Sequence, residues 1–261
     1  MNSFEEVAKK EFLNSKKEIF SFNFENSKYW LKRARETKPN KIQTFFYKIF
    51  PFELLIPSLY KTKIEALEFE SLKIERFEKL GINVPKVIYK NSEFFVLEDS
   101  GISLNSILRN KDIEESEFYL FVDLVLEELC KIHNLGDFHG GSQIRNFTYK
   151  NNRIFAIDFE ESFASNIDIK TLQYRDFLLF ILSFTKVRNE KFRVNYEKIV
   201  DKYLELSNNK DFIIKLKKLA KKLTFFVWLS KKEIIKRRLG SDVKYFLELI
   251  EILNKMDKNA K

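Results

Sequence analysis

Two oxygen-bearing side chains stand at either end of a short predicted hairpin. Asn146 closes the run His139-Gly140-Gly141-Ser142-Gln143-Ile144-Arg145-Asn146, and Asp158 follows Ile154-Phe155-Ala156-Ile157. One amide and one carboxylate are hard donors that suit magnesium and leave room for phosphate oxygens and water. Phosphoryl transfer from a nucleotide is mainly positioning and charge neutralisation, so such a pair needs company. A lysine must meet the phosphates, a carboxylate must hold the lysine, and a further group must orient the acceptor hydroxyl. Lys32 closes the strand-like Tyr29-Trp30-Leu31-Lys32 and fits the first role. Glu70 fits the second, with Glu68 left open because helix phase alone does not choose between them. Plainer roles compete at each position: Asn146 as a turn residue, Asp158 as a cap, Lys32 as one lysine among many.

The elements that must place these groups can be read from periodicity. Phe20, Phe22 and Phe24 alternate with polar residues, as in a strand with one buried face. Glu25-Asn26-Ser27 reads as a turn and 28–32 as a second strand. A helix is expected over 64–80, with Leu67, Leu72, Ile74 and Phe77 apolar and Gly81 as its stop. A hairpin of 84–89 and 93–98 follows. After Asp99-Ser100-Gly101 a helix is expected over 115–134, then strands at 147–149 and 153–157 around the turn Asn151-Asn152. From Thr171 the chain reads as helical, over 171–187, 192–207, 210–237 and 241–256. Residues 1–17 read as a short amphipathic helix or a loose lead-in.

Lys32, Glu70, Gly81-Ile82-Asn83-Val84-Pro85, Glu98-Asp99, Leu135-Gly136, His139-Gly140, Asn146 and Asp158, taken in order, resemble the atypical bacterial kinases. The similarity is to the lipopolysaccharide core (heptose and Kdo) kinases and to the KEOPS-type and RIO-type small kinases. It runs from Phe20 to Asp176, and the order and spacing of the motifs carry it. The resemblance implies an α+β, bilobal protein-kinase-like fold. A small sheet-rich N-lobe would occupy 1–99, with an apolar insert at 37–62, and a larger helical C-lobe 100–261, with its catalytic-loop region at 133–162. It implies ATP and magnesium as cofactors, Lys32, Glu98, Asn146 and Asp158 as nucleotide contacts, Asn146 and Asp158 as the metal ligands, and a sugar hydroxyl of a glycolipid as acceptor. His133 and His139 take packing roles.

Two departures from that pattern matter. Where relatives read His-Gly-Asp or His-Arg-Asp, this chain has Gly141, which can neither accept a proton nor orient a hydroxyl. Losing a positioned general base costs about 10² to 10⁴ in rate. Asp137 and Glu160 are the candidate substitutes, and Glu161 stands beside them. Glu160 also replaces the usual glycine after Asp158-Phe159. The turn Glu25-Asn26-Ser27 lacks glycine, which hinders close backbone approach to phosphates. The expected function is therefore an ATP-dependent phosphotransferase. The alternatives are a pseudokinase serving as a nucleotide-binding or regulatory module, and a small KEOPS/RIO-type protein kinase.

Composition sets the remaining bounds. The 261 residues carry 44% hydrophobic and 15% aromatic side chains, a folded globule rather than a disordered chain. The lone Cys130 excludes an intrachain disulfide and reads as a small buried residue. No secretory signal or membrane-spanning run is evident, so the expected location is cytoplasmic, with peripheral contact on the inner face of the membrane. A net charge of +9 favours anionic partners. Eleven basic residues fall between Lys210 and Arg238, against Asp211 and Glu233. They read as a core helix with a solvated cationic face or as a site for anionic lipid or phosphorylated glycolipid. Nucleic acid is disfavoured because no recognised binding module accompanies the charge. The apolar stretch from Thr44 to Tyr60 is expected to pack as core, or else to form a surface patch that meets a membrane or an acyl chain.

Overall fold

The computed structural model describes residues 3–49, 51–230, 232 and 240–259. The class is α+β, and the chain divides into two compact units. The first comprises Met1–Ile102 with Asn146–Asp168, and the second Ser103–Arg145 with Ile169–Lys261. This partition differs from a single cut at 99/100. The segment 146–168 joins the first unit because its backbone and side chains are tied there. Ala156 N–H donates to the Asn83 carbonyl at 2.9 Å, Leu59 N–H donates to the Ser162 carbonyl at 2.8 Å, and Phe159 packs edge-on against Phe77.

The first unit is built on a four-stranded antiparallel sheet. In chain order the strands are β1 (Ile19–Phe24), β2 (Ser27–Arg33), β3 (Val87–Lys90) and β4 (Phe94–Glu98), and the spatial order is β1-β2-β4-β3. Strand alternation sorts β2 into two faces. Tyr29 and Leu31 join Phe22, Phe94 and Val96 under helix α1 (Phe4–Asn14), where Ala8 and Phe4 complete the cluster. Lys32 is therefore sent to the opposite face. The turn at Glu25-Asn26 is tighter than a covering loop. Phe24 pairs directly with Ser27, and Glu25 and Asn26 sit at φ +45° and +63°. This is a two-residue hairpin with two left-handed residues, a role asparagine fills without glycine.

Helix α2 (Lys41–Ile49) and a 3₁₀ turn at Glu53–Leu55 occupy the apolar insert. The core reading holds for Phe52 and Ile56, which are buried, and fails for α2, which buries nothing. Phe50 lies outside the described residues. Helix α3 (Lys63–Lys79) starts from a capping box in which Thr62 and Glu65 satisfy each other's backbone amides. Its buried positions Leu67, Glu70, Ile74 and Phe77 follow helical spacing, so one acid lies in the middle of an apolar stripe. The strand pair β6 (Phe147–Lys150) and β7 (Arg153–Ala156) closes through Asn151-Asn152, both at positive φ. A two-residue strand, β5 (Ile102–Ser103), marks the boundary of the units.

The second unit is helical: α4 (Leu104–Leu108), α5 (Glu115–Asn134), α6 (Ile169–Ser183), α7 (Tyr196–Leu206), α8 (Phe212–Ser230) and α9 (Ser241–Asn259). Its core stacks Phe177, Tyr203 and Phe212. Cys130 is buried beside Tyr203, and burial pushes its thiol up to about 12, so it is an inert packing residue. The helix expected over 210–237 is described as far as Ser230. Of its continuation Lys231, Lys236, Arg237 and Arg238 lie outside the described residues. No helix among the described residues is long and apolar enough to cross a membrane.

Candidate functional site

Lys32 is the centre of a charge cluster within the first unit. Its ammonium donates to Glu70 Oε1 at 2.8 Å and to Asp158 Oδ1 at 2.9 Å, and lies 3.7 Å from Glu160 Oε2. Both Lys32 and Glu70 are buried. Burial works against the charge on Lys32. The Glu70, Asp158 and Glu160 carboxylates outweigh it, so its proton is held more tightly than usual. Burial likewise pushes the Glu70 carboxyl up, and Lys32 pulls it part of the way back. Of the two acids left open by the sequence, Glu70 meets the lysine, while Glu68 is exposed. The buried stripe of α3 was the available signal. Leu72, apolar yet 55% exposed, blurred it.

The β6–β7 register explains how Asn146 and Asp158 come together. Phe147 pairs with Ala156, and Ile157 N–H donates to the Asn146 carbonyl at 3.0 Å. Positions 146 and 157 are thus opposite each other, with Asp158 the next residue. Asp158 sits at φ +67°, a left-handed backbone that a non-glycine residue holds only where its surroundings impose it. Asn146 is buried. Among the described residues no group of three or more His, Cys, Asp or Glu is arranged to hold a metal by itself. The carboxylate beside the Lys32 ammonium and the amide at the other end of the hairpin are instead of the donor types that suit magnesium arriving with a phosphate ligand. Magnesium retains waters and phosphate oxygens rather than entering an all-protein cage.

Arg35 and Lys61 were missed by the sequence reading. Arg35 Nη2 donates to both Glu160 oxygens at 2.7 Å, and its Nε lies 2.6 Å from Glu18. Lys61 Nζ donates to the Glu160 carbonyl at 2.8 Å and to Ser162 Oγ at 2.7 Å. The segment after Asp158 is therefore clamped by two cations at the position where a glycine would leave it loose. No motif marks either residue. Each is one of many basic side chains, and only the tertiary placement separates them. Glu98 is half-buried at the end of β4, paired with Tyr29, and its N–H donates to the Lys86 carbonyl at 3.0 Å.

The glycine-containing loop belongs to the second unit, where Asp176 of α6 holds it. His139 N–H donates to Asp176 Oδ2 at 2.6 Å, Gly140 N–H donates to Oδ1 at 3.0 Å, and Ser142 Oγ–H donates to the Asp176 carbonyl at 2.5 Å. Arg175 donates to the Gly140 carbonyl. Burial disfavours the Asp176 charge, but the bond and charge of His133, with His139 and Arg175 nearby, outweigh burial and hold its carboxyl below the usual range. Its signal was an aspartate inside the apolar run Tyr174 to Ile181, where a buried acid must be paired. His133 and His139 are buried in this packing. Gly141 N–H donates to His139 Nδ1 at 3.2 Å. Asp137, in the same loop, accepts the Phe138 N–H at 2.8 Å.

No protein-family model matches the chain. An uncharacterized protein of Haemophilus influenzae is 29% identical over 168 residues, covering 64% of this chain and 63% of that protein. The match thus spans less than two thirds of the relative's length. Among solved structures, WaaP in complex with acyl carrier protein superposes with a TM-score of 0.49 at 13% identity, covering 78% of this chain and 84% of that one.

Proposed function

We propose that this chain is an ATP-dependent phosphotransferase of the lipopolysaccharide-kinase-like type, with a sugar hydroxyl of a glycolipid as acceptor. The observation that carries the reading is the buried Lys32 ammonium bonded at once to Glu70 and Asp158. A lysine so held is oriented and permanently charged, as a phosphate-binding cation must be. Glu70 fixes its direction. Asp158 and Asn146 would hold magnesium, which neutralises phosphate charge when bound. Arg35 is a further cation in the same cluster.

Orientation of the acceptor falls to Asp137 or Glu160, since Gly141 has no side chain. The Glu160 carboxylate is engaged by Arg35 through both oxygens, so turning to a hydroxyl would require breaking that pairing. The same pairing, with Gly141, favours a second reading, a pseudokinase that binds nucleotide without turning it over.

Thermal-shift titration with magnesium and ATP, alongside hydrolysis of ATP, tests both. The enzyme reading expects a nucleotide-dependent stabilisation and slow turnover. Asp158→Ala should abolish turnover, and Asp137→Asn should lower it about 10²-fold with binding retained. Stabilisation without turnover in the unaltered protein supports the pseudokinase. No stabilisation by nucleotide defeats both.

A further inference from the structure

Helix α2 is built inside out. Its large apolar residues Ile42, Phe45, Phe46 and Ile49 share one face and are 69%, 59%, 51% and 64% exposed. Its half-buried residues are Gln43, Thr44 and Tyr47, on the other side. Gln43 fixes the phase: its amide donates to the Leu54 carbonyl at 3.3 Å and the Ile56 carbonyl at 3.1 Å. Asn40 fixes the start, its Oδ1 accepting from Ile42 N–H at 2.9 Å and Gln43 N–H at 3.2 Å. The helix is therefore anchored by polar bonds with its apolar face outward. A folded protein rarely leaves a contiguous face of this kind in water unless something covers it.

We propose that the Ile42–Phe45–Phe46–Ile49 face is a docking surface for an anionic lipid bilayer. Charge argues for that occupant. Residues 37–52 contain Lys38, Lys41 and Lys48 and no acid. Lys41 and Lys48 are one helical repeat apart, exposed, and stand along the shoulder of the stripe beside Phe45. Lysines there can lay their methylenes along the apolar face and extend the ammonium to lipid phosphates. A second copy packed antiparallel on the same face would set these lysines against their own counterparts, and 37–52 offers no acid to pair with them, which disfavours that mode of self-association. The face is short, so attachment is reversible and depends on both the apolar contact and the charge. The proposal stands without the phosphotransfer reading, because it requires neither nucleotide nor acceptor.

The test is co-sedimentation of the full chain with vesicles of phosphatidylcholine, with and without phosphatidylglycerol, in the absence of nucleotide. The unaltered protein should bind the mixed vesicles and bind pure phosphatidylcholine poorly. Phe45→Ser with Phe46→Ser should lower binding at least about tenfold. Lys41→Gln and Lys48→Gln should lower it about fivefold each. All variants should keep the circular dichroism and thermal unfolding of the parent. A parallel variant, Phe225→Ser with Trp228→Ser, alters the exposed aromatic pair of α8 and should leave binding intact. The proposal is overturned if the parent does not sediment with mixed vesicles, or if the α2 variant binds as the parent does. It is also overturned if the α8 variant alone loses binding. A parent that is a dimer without vesicle affinity, and that the α2 variant makes monomeric, would assign the face to a second copy instead.

Discussion

Replacing Lys32 by methionine is the sharpest test of the charge cluster. Methionine keeps much of the volume and removes the ammonium. Glu70, 5% exposed at its side chain, then has no cation 2.7 Å away and must lose its charge or be buried unpaired. Breaking a buried pair by removing one partner costs about 3–5 kcal/mol. Asp158 adds under about 1 kcal/mol, because a third of its side chain faces water. Removing both ends behaves differently. Lys32→Met with Glu70→Leu leaves no buried charge, and replacing a buried pair by apolar residues is close to neutral. The four proteins form a thermodynamic cycle, measured by urea unfolding at neutral pH. The expected coupling between Lys32 and Glu70 is about 2 kcal/mol or more. A single Lys32→Met loss below about 1 kcal/mol, or a double variant whose loss equals the sum of the singles, would show that the two side chains are not a buried pair.

Two further outcomes follow from the second unit and from the turn at Gly101. The Asp176 carboxyl is held below its unfolded value of 3.8, so its charge stabilises the fold above that value and the contribution is lost as pH falls through the folded value. Asp176→Asn should therefore cost about 2 kcal/mol at neutral pH, where an amide oxygen cannot replace both carboxylate oxygens, and the gap to the parent should close under acid unfolding below about pH 4. An Asp176→Asn protein whose acid limb parallels the parent's would contradict this. Gly101 sits at φ +94°, and a Cβ there would lie 2.1 Å from the Tyr149 carbonyl oxygen. Gly81, at φ +78°, has nothing within 4 Å of that position. Gly81→Ala should cost about 1 kcal/mol and Gly101→Ala clearly more, read as unfolding midpoints, and equal losses would refute the close contact.

The legible parts of this chain were those where one strand or helix face determines burial. Alternation at Phe20, Phe22 and Phe24 located β1, and the apolar repeat with its glycine stop located α3. Lys32, Glu70 and Asp158 were candidates from their place along the chain, with Glu68 left open beside Glu70, and the structure brings these three together within the first unit. What stayed hidden depends on contacts between distant segments. Composition announced an apolar stretch in 37–62 but not which of its residues the rest of the protein covers, since that is decided by Gln43 and two carbonyls more than ten residues away. Arg35, Lys61 and Asp176 act through partners 17 to 125 positions distant in sequence. The division of the chain failed to follow a single cut for the same reason. Hydrogen bonds from Ala156 and Leu59 bind a later segment to the first unit.

In the proposed reaction the hairpin at Glu25-Asn26 bears on product release. Two residues provide no slack with which main-chain amides could wrap a polyphosphate. In the proposed reaction the phosphates are met by the ends of long side chains, Lys32 above all. Glu70 and Asp158 hold that ammonium in one place, so a fixed point charge rather than a cradle of amides would meet the nucleotide. With no covering loop at Glu25-Asn26 to lift, the spent nucleotide would leave without an opening step at that turn.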